Sequence, residues 1–389
     1  MKPASRTCLA ALCVLAGFTR AAALDLGMDL TNFSSVVSES NLTYTQENEA
    51  RPWFSARLGD STKLYLSGLY EFSDVIAAGQ ATLSPYRLDV GRAELDGSIA
   101  SIVGPSSVLR WSVGRIELSD FSGFLLEGLY DGAQAELSLG NTTLNLAGAY
   151  TGFLYKNDAL VSIDTDDAVV NGSSSTYFAP KHILSELGAR WVEVLPGQDL
   201  GLEAWGQFDL ESGTPTNGFY LQPYIEGTIG RSLRWRGWVQ YELSYDTSAH
   251  NALAAGLLAR TSVPELVGLR LTGSVIWASG ASGGIAAFTP IKSGPIDAAT
   301  DLTFSDVLSA AFDASISPGQ GLGIGFTGAS LFRPNSYFLG SEGALNASFR
   351  FTSDAYATLT LGAFAPGAEA AAAGQSSRLS ASLSAGFSL

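Results

Sequence analysis

Apolar and polar residues alternate along most of the chain after residue 23. The clearest case is residues 233–245, LRWRGWVQYELSY, where one face carries leucine, valine and aromatic residues and the other mostly arginine, glutamine and glutamate. Successive side chains of a β-strand point to opposite faces, so this pattern predicts a strand that is apolar on one side and wet on the other. Such a strand is roughly 40 Å long, and a tilt of about 45° reduces its height to about 28 Å, which fits a bilayer.

The same period of two recurs in other segments, with few charges on the polar face. It is seen at 200–210 and 269–277, and again in the final residues SRLSASLSAGFSL, whose apolar positions run to Leu389. A soluble β-sandwich would carry many charges on its solvent face, whereas this chain has 15% charged and 46% hydrophobic residues. No segment after residue 23 reaches the run of about 18 apolar residues that a membrane helix needs. The apolar surface is therefore predicted to lie on strands.

Short turns and longer loops separate these strands in alternation. The short turns are rich in glycine, proline, asparagine and aspartate, as in LGNTT and LPGQD. Longer polar loops are predicted near residues 33–50, 73–85, 119–131, 153–185, 211–217, 246–250, 279–300, 333–340 and 365–376. The count gives about eighteen strands, and sixteen stays open. We predict an all-β fold, a transmembrane antiparallel β-barrel with short periplasmic turns and long extracellular loops.

The first 23 residues have the features of a secretory signal peptide. Lys2 and Arg6 precede the apolar run CLAALCVLAGF, and small residues end the segment. We expect two parts, a signal peptide over 1–23 and one outer-membrane barrel over 24–389, without a linker or second domain. Cleavage there would remove both cysteines of the sequence, so the exported part would close its fold without disulfides.

Charge and chemistry exclude several functions. The formal charge is −15, and loss of the three basic residues of the signal peptide makes it −18, so nucleic acid is not expected as a partner. The two histidines, His182 and His250, lie on predicted loops without a catalytic motif. We therefore expect no enzyme activity, no cofactor and no metal site. The acidic run DALVSIDTDD at 158–167 is more typical of a solvated loop than of a calcium site.

Two segments of the chain are nearly the same: YRLDVGRAEL at 86–95 and LRWSVGRIEL at 109–118. In each, strict alternation would place the arginine and glutamate that follow the glycine in lipid, where a charge costs about 2–4 kcal/mol near the midplane. A β-bulge at the glycine would reverse the phase and turn both charges to the lumen. We predict such bulges at Gly91 and Gly114. Beyond them, the apolar residues would return to the outer face: Ala93, Leu95, Ile116 and Leu118.

The repeat also predicts a charged wall of the lumen. If the two segments form a hairpin centred near residue 101, Arg92 lies close to Arg110 and Arg87 close to Arg115. The four arginines would form a ladder, partly offset by carboxylates at Asp89, Glu94 and Glu117. Arginine stays charged and orients planar anions, which favours a role in ion selection. A salt-bridge network that only stiffens the wall is the alternative.

The last strand carries the first specific resemblance. An amphipathic final strand with a terminal aromatic is similar to the assembly signal of bacterial outer-membrane β-barrels, although here the aromatic is Phe387 and the last residue is Leu389. The resemblance implies a location in the outer membrane, contact with its lipid, and recognition by the barrel-assembly machinery. The alternating pattern of the same strand predicts that it pairs with the first strand, LDLGMDL at Leu24, and closes the barrel.

The stretch VGRIELSDFSGFLLEGLYDG, which includes the second repeat, resembles general porins. In those proteins a Gly-Arg strand precedes a third loop that folds into the channel. Carried over, Arg110 and Arg115 match wall arginines. The facing acidic residues of the loop would be Glu117, Asp120, Glu127 and Asp131. As an alternative, apolar residues of the segment form an extra strand or plug the lumen: Phe124, Leu125, Leu126 and Leu129.

A barrel of sixteen to eighteen strands is too wide for side chains to fill, so an aqueous channel is expected. We predict a porin-like channel for passive diffusion of small hydrophilic solutes or ions. The porin resemblance also admits a homotrimer. Two alternatives stay open: a surface adhesin or structural barrel, and a transporter of hydrophobic substrates plugged by the segment that begins at Leu24.

Overall fold

The computed structural model describes residues 24–39, 41–77, 86–161, 176–211, 217–245, 249–281, 285–292, 306–333, 337–372 and 374–389. The predicted signal peptide lies outside these residues. Eighteen strands follow one another in the described part of the chain: β1 (Leu24–Ser38), β2 (Leu42–Arg57), β3 (Thr62–Ala77), β4 (Tyr86–Ala100), β5 (Ser107–Ser119), β6 (Glu127–Leu139), β7 (Thr142–Tyr150), β8 (His182–Leu195), β9 (Gln198–Asp209), β10 (Asn217–Ile229), β11 (Leu233–Tyr245), β12 (Ala249–Val263), β13 (Leu269–Ala278), β14 (Val307–Gly319), β15 (Leu322–Phe332), β16 (Phe338–Arg350), β17 (Ala355–Pro366) and β18 (Arg378–Ser388).

The strands form one closed antiparallel barrel. Each strand pairs with its neighbours in the chain, and β1 pairs with β18 from Asp29–Ser388 to Ser38–Leu379. The prediction of an all-β barrel with eighteen strands is confirmed, and sixteen is excluded. A short helix, α1 (Ala368–Ala372), precedes β18. Among the described residues, no helix has the length and apolarity to cross a membrane.

The alternation of the sequence becomes an outer and an inner face. On β11, Val239 and Tyr241 are exposed outward, whereas Gln240 and Glu242, which alternate with them, are buried inside. The last strand follows the same rule, because Leu379, Leu383 and Phe387 are exposed. The two ends of the barrel also differ, since every connection at one end has six residues or fewer, whereas all connections longer than six residues lie at the other end. We call these the turn end and the loop end.

The predicted long loop at 33–50 is wrong. β1 and β2 continue to within three residues of each other, and Leu24 to Ser38 pair continuously with Ala56 to Leu42. The segment looked like a loop because serine, asparagine and glutamine occupy positions on both faces of these strands. The plug that was considered for a transporter is excluded by the same observation, because the residues proposed for it are barrel strands.

Several connections at the loop end fold into the barrel instead of projecting from it. The cluster of buried apolar residues joins Ile116 and Leu118 of β5 to residues 124–126, 154–161 and 288–291 and to the inner faces of β8, β9, β10 and β12. The described core of the molecule therefore lies inside the barrel near the loop end. This packing reduces the open cross-section of the lumen.

Candidate functional site: the lumen and its inward loop

The two glycines of the repeated segment have different roles. At Gly91 the register of β3 with β4 shifts, because Ser67 lies opposite Arg92 and Gly68 lies opposite Val90, so that Gly91 is an extra residue. The predicted bulge is present there. Leu88 and Val90 are exposed on the outer face, while Glu94 is buried on the inner one. One inserted residue is what turns Arg92 from the lipid to the lumen.

At Gly114 the predicted bulge is wrong. β5 pairs with β6 through Gly114 without a shift, but its pairing with β4 ends at Glu94–Gly114. Gly114 has φ 121°, and a Cβ there would lie 2.0 Å from the Ala93 carbonyl oxygen. Glycine is therefore required because β5 approaches β4 closely and then leaves it.

The departure of β5 reverses the expected environment of two residues. Ile116 and Leu118 were predicted on the outer face, yet both are almost completely buried. They belong to the buried cluster that contains Phe124, Leu125 and Leu126 of the following loop. Their apolar side chains are satisfied by inward-folded segments of the protein instead of by lipid.

The predicted hairpin register is also wrong. Arg110 lies opposite Ser98, and the turn between β4 and β5 is centred near residue 104 instead of 101. Arg92 and Arg110 are therefore not neighbours in the sheet. The displacement arises because β4 continues to Ala100, so that the turn, expected over residues 97–106, spans only 101–106.

Each arginine of the predicted ladder has a carboxylate partner. Arg87 contacts Glu71 at 2.7 Å and Asp158 at 2.9 Å, and Arg92 contacts Glu94 at 2.5 Å. Arg110 pairs with Glu136. This geometry matches the salt-bridge alternative more closely than an unneutralised ladder. Asp158, the one described aspartate of the acidic loop run, is thus used by the barrel wall; the other aspartates of that run lie outside the described residues.

Arg115 fills the gap that opens between β4 and β5. Its guanidinium donates to both carboxylate oxygens of Asp131, at 2.9 and 3.0 Å, and to the Val90 carbonyl at 2.5 Å. Asp89 lies 3.8 Å away on β4. The planar guanidinium can bind both oxygens of a carboxylate and still donate to a backbone carbonyl, whereas a lysine ammonium lacks this fixed bidentate geometry. Arg115 therefore joins two strands that no longer share backbone hydrogen bonds.

Residues 120–126 between β5 and β6 form the inward loop of the barrel, which we call the lumen loop. Asp120 organises it: one carboxylate oxygen accepts from the amides of Leu125 (2.9 Å) and Leu126 (2.8 Å), and the other from the amide of Ser122 (2.8 Å). The side chain is buried, and this burial raises the pKa of the Asp120 carboxyl above its ordinary value. Asp120 is thus an anchor of the loop and not a solvent-facing charge.

Phe121 fixes the loop to the opposite part of the wall. Its ring stacks on Tyr224 of β10 with a centroid distance of 3.7 Å, and its carbonyl accepts from Arg236 of β11 at 3.0 Å. Its amide donates to Glu203 of β9 at 3.0 Å. Three neighbouring strands therefore hold one residue of the loop, which keeps the loop against the wall inside the lumen.

The second half of the lumen loop is covered by the long connection between β13 and β14. Phe124 stacks on Phe288 at 5.5 Å, and the backbone amide of Lys292 donates to the Leu125 carbonyl at 2.7 Å. The Lys292 ammonium also contacts Glu127 at 2.9 Å. Leu125 and Leu126 are buried in this contact. The alternative in which apolar residues of this segment fill part of the lumen agrees with the packing of Phe124, Leu125 and Leu126. Leu129, which was included in that alternative, is exposed and belongs to β6.

The acidic residues assigned to the loop by the porin resemblance are distributed differently. Only Asp120 lies in the lumen loop; Glu117 is on β5, and Glu127 and Asp131 are on β6. Glu117 lines a small cavity with Arg92 and Glu127, whereas Asp131 is paired with Arg115. The loop that the porin resemblance implied, with four acidic residues facing the wall arginines, is therefore not formed. The sequence match could not show the actual positions of these residues because the ends of β5 and β6 lie inside the matched stretch.

A cavity of 920 Å³ lies beside the lumen loop on its turn-end side. It is bounded by the loop itself, by β4 to β9 and by β11. Carboxylates are more numerous than guanidiniums on its walls. The charged residues that line it are Glu94, Asp96, Arg110, Asp120, Glu127, Glu136, Glu186, Glu203 and Arg236. Its size and charge suit water and small polar solutes.

Further toward the turn end, three arginines form a surface that sequence reasoning did not single out. Arg234, Arg260 and Arg270, here called the arginine cluster, lie on the inner faces of β11, β12 and β13; Arg234 is opposite Arg260. All three are exposed, and no acidic side chain of the described residues forms an ion pair with them. The alternation pattern could have revealed them, because each occupies an inward position of a recognisable strand.

Comparison with known proteins supports the architecture. No protein-family model and no curated protein matches the sequence. The fold is similar to OccK7 (OpdD) of Pseudomonas aeruginosa, at 11% identity and a TM-score of 0.60, with 94% of this chain and 99% of that chain covered. It is also similar to OccAB4 of Acinetobacter baumannii, at 12% identity and a TM-score of 0.59, with 94% and 98% covered. The outer membrane protein OpdK of P. aeruginosa matches at 11% identity and a TM-score of 0.54, with 94% and 99% covered. These likenesses show a common barrel fold.

Proposed function

We propose that the chain is an outer-membrane channel through which small hydrophilic solutes or ions diffuse passively. The observation that carries the proposal is a closed barrel of eighteen strands whose lumen holds a charged cavity of 920 Å³ beside an anchored inward loop. Barrels of this width leave an aqueous space that side chains do not fill. The fold likeness to OpdK, which is an outer membrane protein, supports the location.

The lumen loop is proposed to set the size limit for passage. It is held by Phe121 contacts to β9, β10 and β11 and is covered by residues 288–292. A solute that crosses the barrel passes the remaining space between this loop and the walls of β4 to β6. The walls there are polar and charged, which favours hydrated solutes over apolar ones.

A catalytic role is not part of the proposal. His182 is completely buried, and its ring lies 3.1 Å from the Gln207 side chain, so it is not available to a solute in the lumen. We also propose no cofactor. Assembly by the barrel-assembly machinery through β18 and export through a cleaved signal peptide remain parts of the same proposal, and they rest on the sequence pattern.

Planar-bilayer recording of the purified, folded protein tests the channel. Stepwise current increments are expected, together with swelling of protein-containing liposomes in small sugars and a loss of swelling as the sugar grows. The fold is verified independently by heat-dependent migration on a denaturing gel. A heat-modifiable barrel that produces neither current steps nor swelling would overturn the proposal and favour an adhesin or structural barrel.

A further inference from the structure

The barrel wall is interrupted near the loop end, between β4 and β7. The pairing of β5 with β4 ends at Gly114, and the pairing of β6 with β7 ends at Asp131. Between these two points the tip of the β5–β6 hairpin, residues 115–130, leaves both neighbouring strands and turns into the lumen. Residues 86–93 of β4 therefore have no strand neighbour on the β5 side in the described part of the chain.

An irregular segment takes the place that the hairpin tip leaves in the wall. Residues 151–161, here called the strap, follow β7 and cover the hairpin tip, where the Leu160 carbonyl accepts from the Tyr130 hydroxyl at 3.1 Å. The strap also reaches β4, because Asp158 contacts Arg87 at 2.9 Å. The strap thus closes the wall between β7 and β4.

Side chains hold the strap against β4. The guanidinium of Arg115, at the root of the hairpin tip, donates to the Val90 carbonyl of β4 at 2.5 Å and to the Phe153 carbonyl of the strap at 3.3 Å. Among the described residues, no backbone-to-backbone hydrogen bond joins residues 86–93 to the strap. We call this junction the seam. It differs from the rest of the wall, where a ladder of backbone hydrogen bonds joins each strand to the next.

The outer side of the seam is apolar. Leu88 of β4 is 77% exposed, Phe153 of the strap is 64% exposed, and Val90 is exposed between them and the lumen-side bulge. Tyr86, at the loop-end start of β4, is also exposed and is typical of the aromatic girdle that borders the apolar band. Leu88 and Val90 lie on the membrane side of this girdle position. The seam therefore faces the acyl chains of the bilayer.

The lumen side of the seam opens on a cavity of 340 Å³. Its walls include Gly91 of β4 and Glu117 and Leu129 of the hairpin tip. Arg115 adjoins this cavity and the outer face, since it binds the carbonyl of Val90, which precedes Gly91, and lies two residues before Glu117. One side chain and its contacts thus stand between a space in the lumen and the apolar surface.

We propose that the seam is a lateral portal through which a single-chain anionic amphiphile passes between the lumen and the bilayer. A junction held by side chains opens at a lower cost than a run of backbone hydrogen bonds, because fewer contacts are lost. The free edge of β4 is tolerated in the apolar band because the strap and Arg115 cover it. An anionic head matches the seam, since the donors that bind Asp131 bind another anion equally well. The apolar chain matches Leu88 and Phe153 outside.

The portal rests on the proposed membrane location, and its first test does not require a current. Residues 24–389 contain no cysteine, so Leu129→Cys places a single fluorophore in the cavity beside the seam. In phosphatidylcholine vesicles whose acyl chains carry a nitroxide, the fluorescence is expected to be quenched, and more strongly when Arg115→Met is added. Asn346→Cys, on the lumen face of β16, is the matched control and should be quenched less, without a response to Arg115→Met.

Two outcomes of this test contradict the portal. One is equal quenching at the two labelled positions. The other is quenching at Leu129→Cys that does not change with Arg115→Met in a barrel that still shows heat-dependent migration.

Covalent closure of the seam provides a second test that does not depend on the folding of Arg115→Met. Arg87→Cys with Asp158→Cys, joined by a short bis-maleimide, ties the strap to β4. Decyl sulfate, added below the concentration that disrupts the bilayer, is expected to interrupt the current before this bridge is made and not after it. Asp313→Cys with Thr327→Cys is the control, because these residues lie opposite each other in the intact β14–β15 ladder. A bridge there should leave the interruptions unchanged.

Interruptions that persist after the seam is bridged would show that decyl sulfate enters through the aqueous mouth, and they would overturn the portal. A conducting channel on which decyl sulfate has no effect would overturn it as well. Failure of the channel proposal would appear separately, as a folded barrel without current steps in which the label at Leu129→Cys is still quenched more strongly with Arg115→Met.

Discussion

The guanidinium of Arg236 donates to the backbone carbonyl of Phe121 at 3.0 Å, joining β11 to a loop that is 115 residues earlier in the chain. The same guanidinium lies 5.6 Å from the centre of the Phe121 ring. This contact crosses the lumen side of the barrel, so it connects the position of the lumen loop to a wall that is distant in sequence. A loop held by few such contacts can be loosened by single substitutions.

Arg236→Ala is expected to loosen the lumen loop and increase single-channel conductance. The substitution removes a hydrogen bond from a charged donor, which contributes about 1.5–3 kcal/mol, and the contact with the Phe121 ring. Arg234→Ala is the matched control, because it removes the same charge two residues away on the same face without a described contact to the loop. Planar-bilayer recording measures both. Equal conductance of the two variants would show that Arg236 does not restrain the loop.

The lumen loop is expected to be held more firmly at acid pH. Burial raises the pKa of Asp120 above the ordinary value of 3.8, so the closed loop binds its proton more tightly than an open loop does. The stabilisation of the closed loop by this carboxyl is fully present below pH 3.8, and it is lost as the pH rises through the raised pKa of Asp120. This pH dependence is measured by the hydrogen-exchange protection of the Leu125 and Leu126 amides, corrected for intrinsic exchange.

Asp120→Asn separates this titration from other effects of pH. An amide can accept with only one of its two positions, so the variant is expected to lose protection at every pH because some loop amides lose their acceptor. What remains should no longer depend on pH in the acid range. If the variant keeps the pH dependence of the native chain, another group is responsible.

The barrel itself was predictable because its rule is local. Alternation at Val239 and Gln240, or at Leu383 and its neighbours, assigns a side without any knowledge of distant residues, and the number of such segments gives the number of strands. β1 and β2 were misjudged where this rule is broken, since Asn32 and Gln46 are polar on the outer face. These polar side chains are hydrogen-bonded across the two strands, as Asn32 Nδ2 is to Asn48 Oδ1 at 2.6 Å, and the pattern of one strand alone does not show such a pairing.

The lumen was less predictable because its contacts are long-range. Ile116 and Leu118 point inward although they are apolar, and only the loop segments that cover them explain this. The bulge at Gly91 could be inferred because a charge in lipid is unfavourable on any strand. Gly114 has the same local sequence, but its conformation follows from the path of β5 after it leaves β4.

Gly114→Ala is expected to destabilise the folded barrel. A Cβ at this position would lie 2.0 Å from the Ala93 oxygen, and φ is 121°. Backbone conformations of this kind cost on the order of 1–3 kcal/mol for other residues, and the steric contact adds to that cost. The midpoint of urea unfolding, followed by tryptophan fluorescence in detergent, should fall. Gly273→Ala is the control, because no atom lies within 4 Å of its added Cβ.

Replacement of the arginine cluster is expected to shift ion selectivity toward cations. Arg234, Arg260 and Arg270 are exposed to the lumen and have no ion-pair partner in the described part of the chain, so their field acts on passing ions. A unit charge about 8 Å from an ion contributes about 0.5 kcal/mol in water. Three such charges favour an anion by about tenfold and disfavour a cation by about tenfold, so they change the anion-to-cation permeability ratio by about a hundredfold at low salt. Reversal potentials across a salt gradient measure this ratio for the triple glutamine variant.

The triple lysine variant keeps the charges and should behave like the native chain. The effect should also fade near 1 M salt, where the Debye length is about 3 Å. A native reversal potential in the glutamine variant would exclude the cluster from selectivity and leave the paired arginines of β4 and β5 as the remaining candidates.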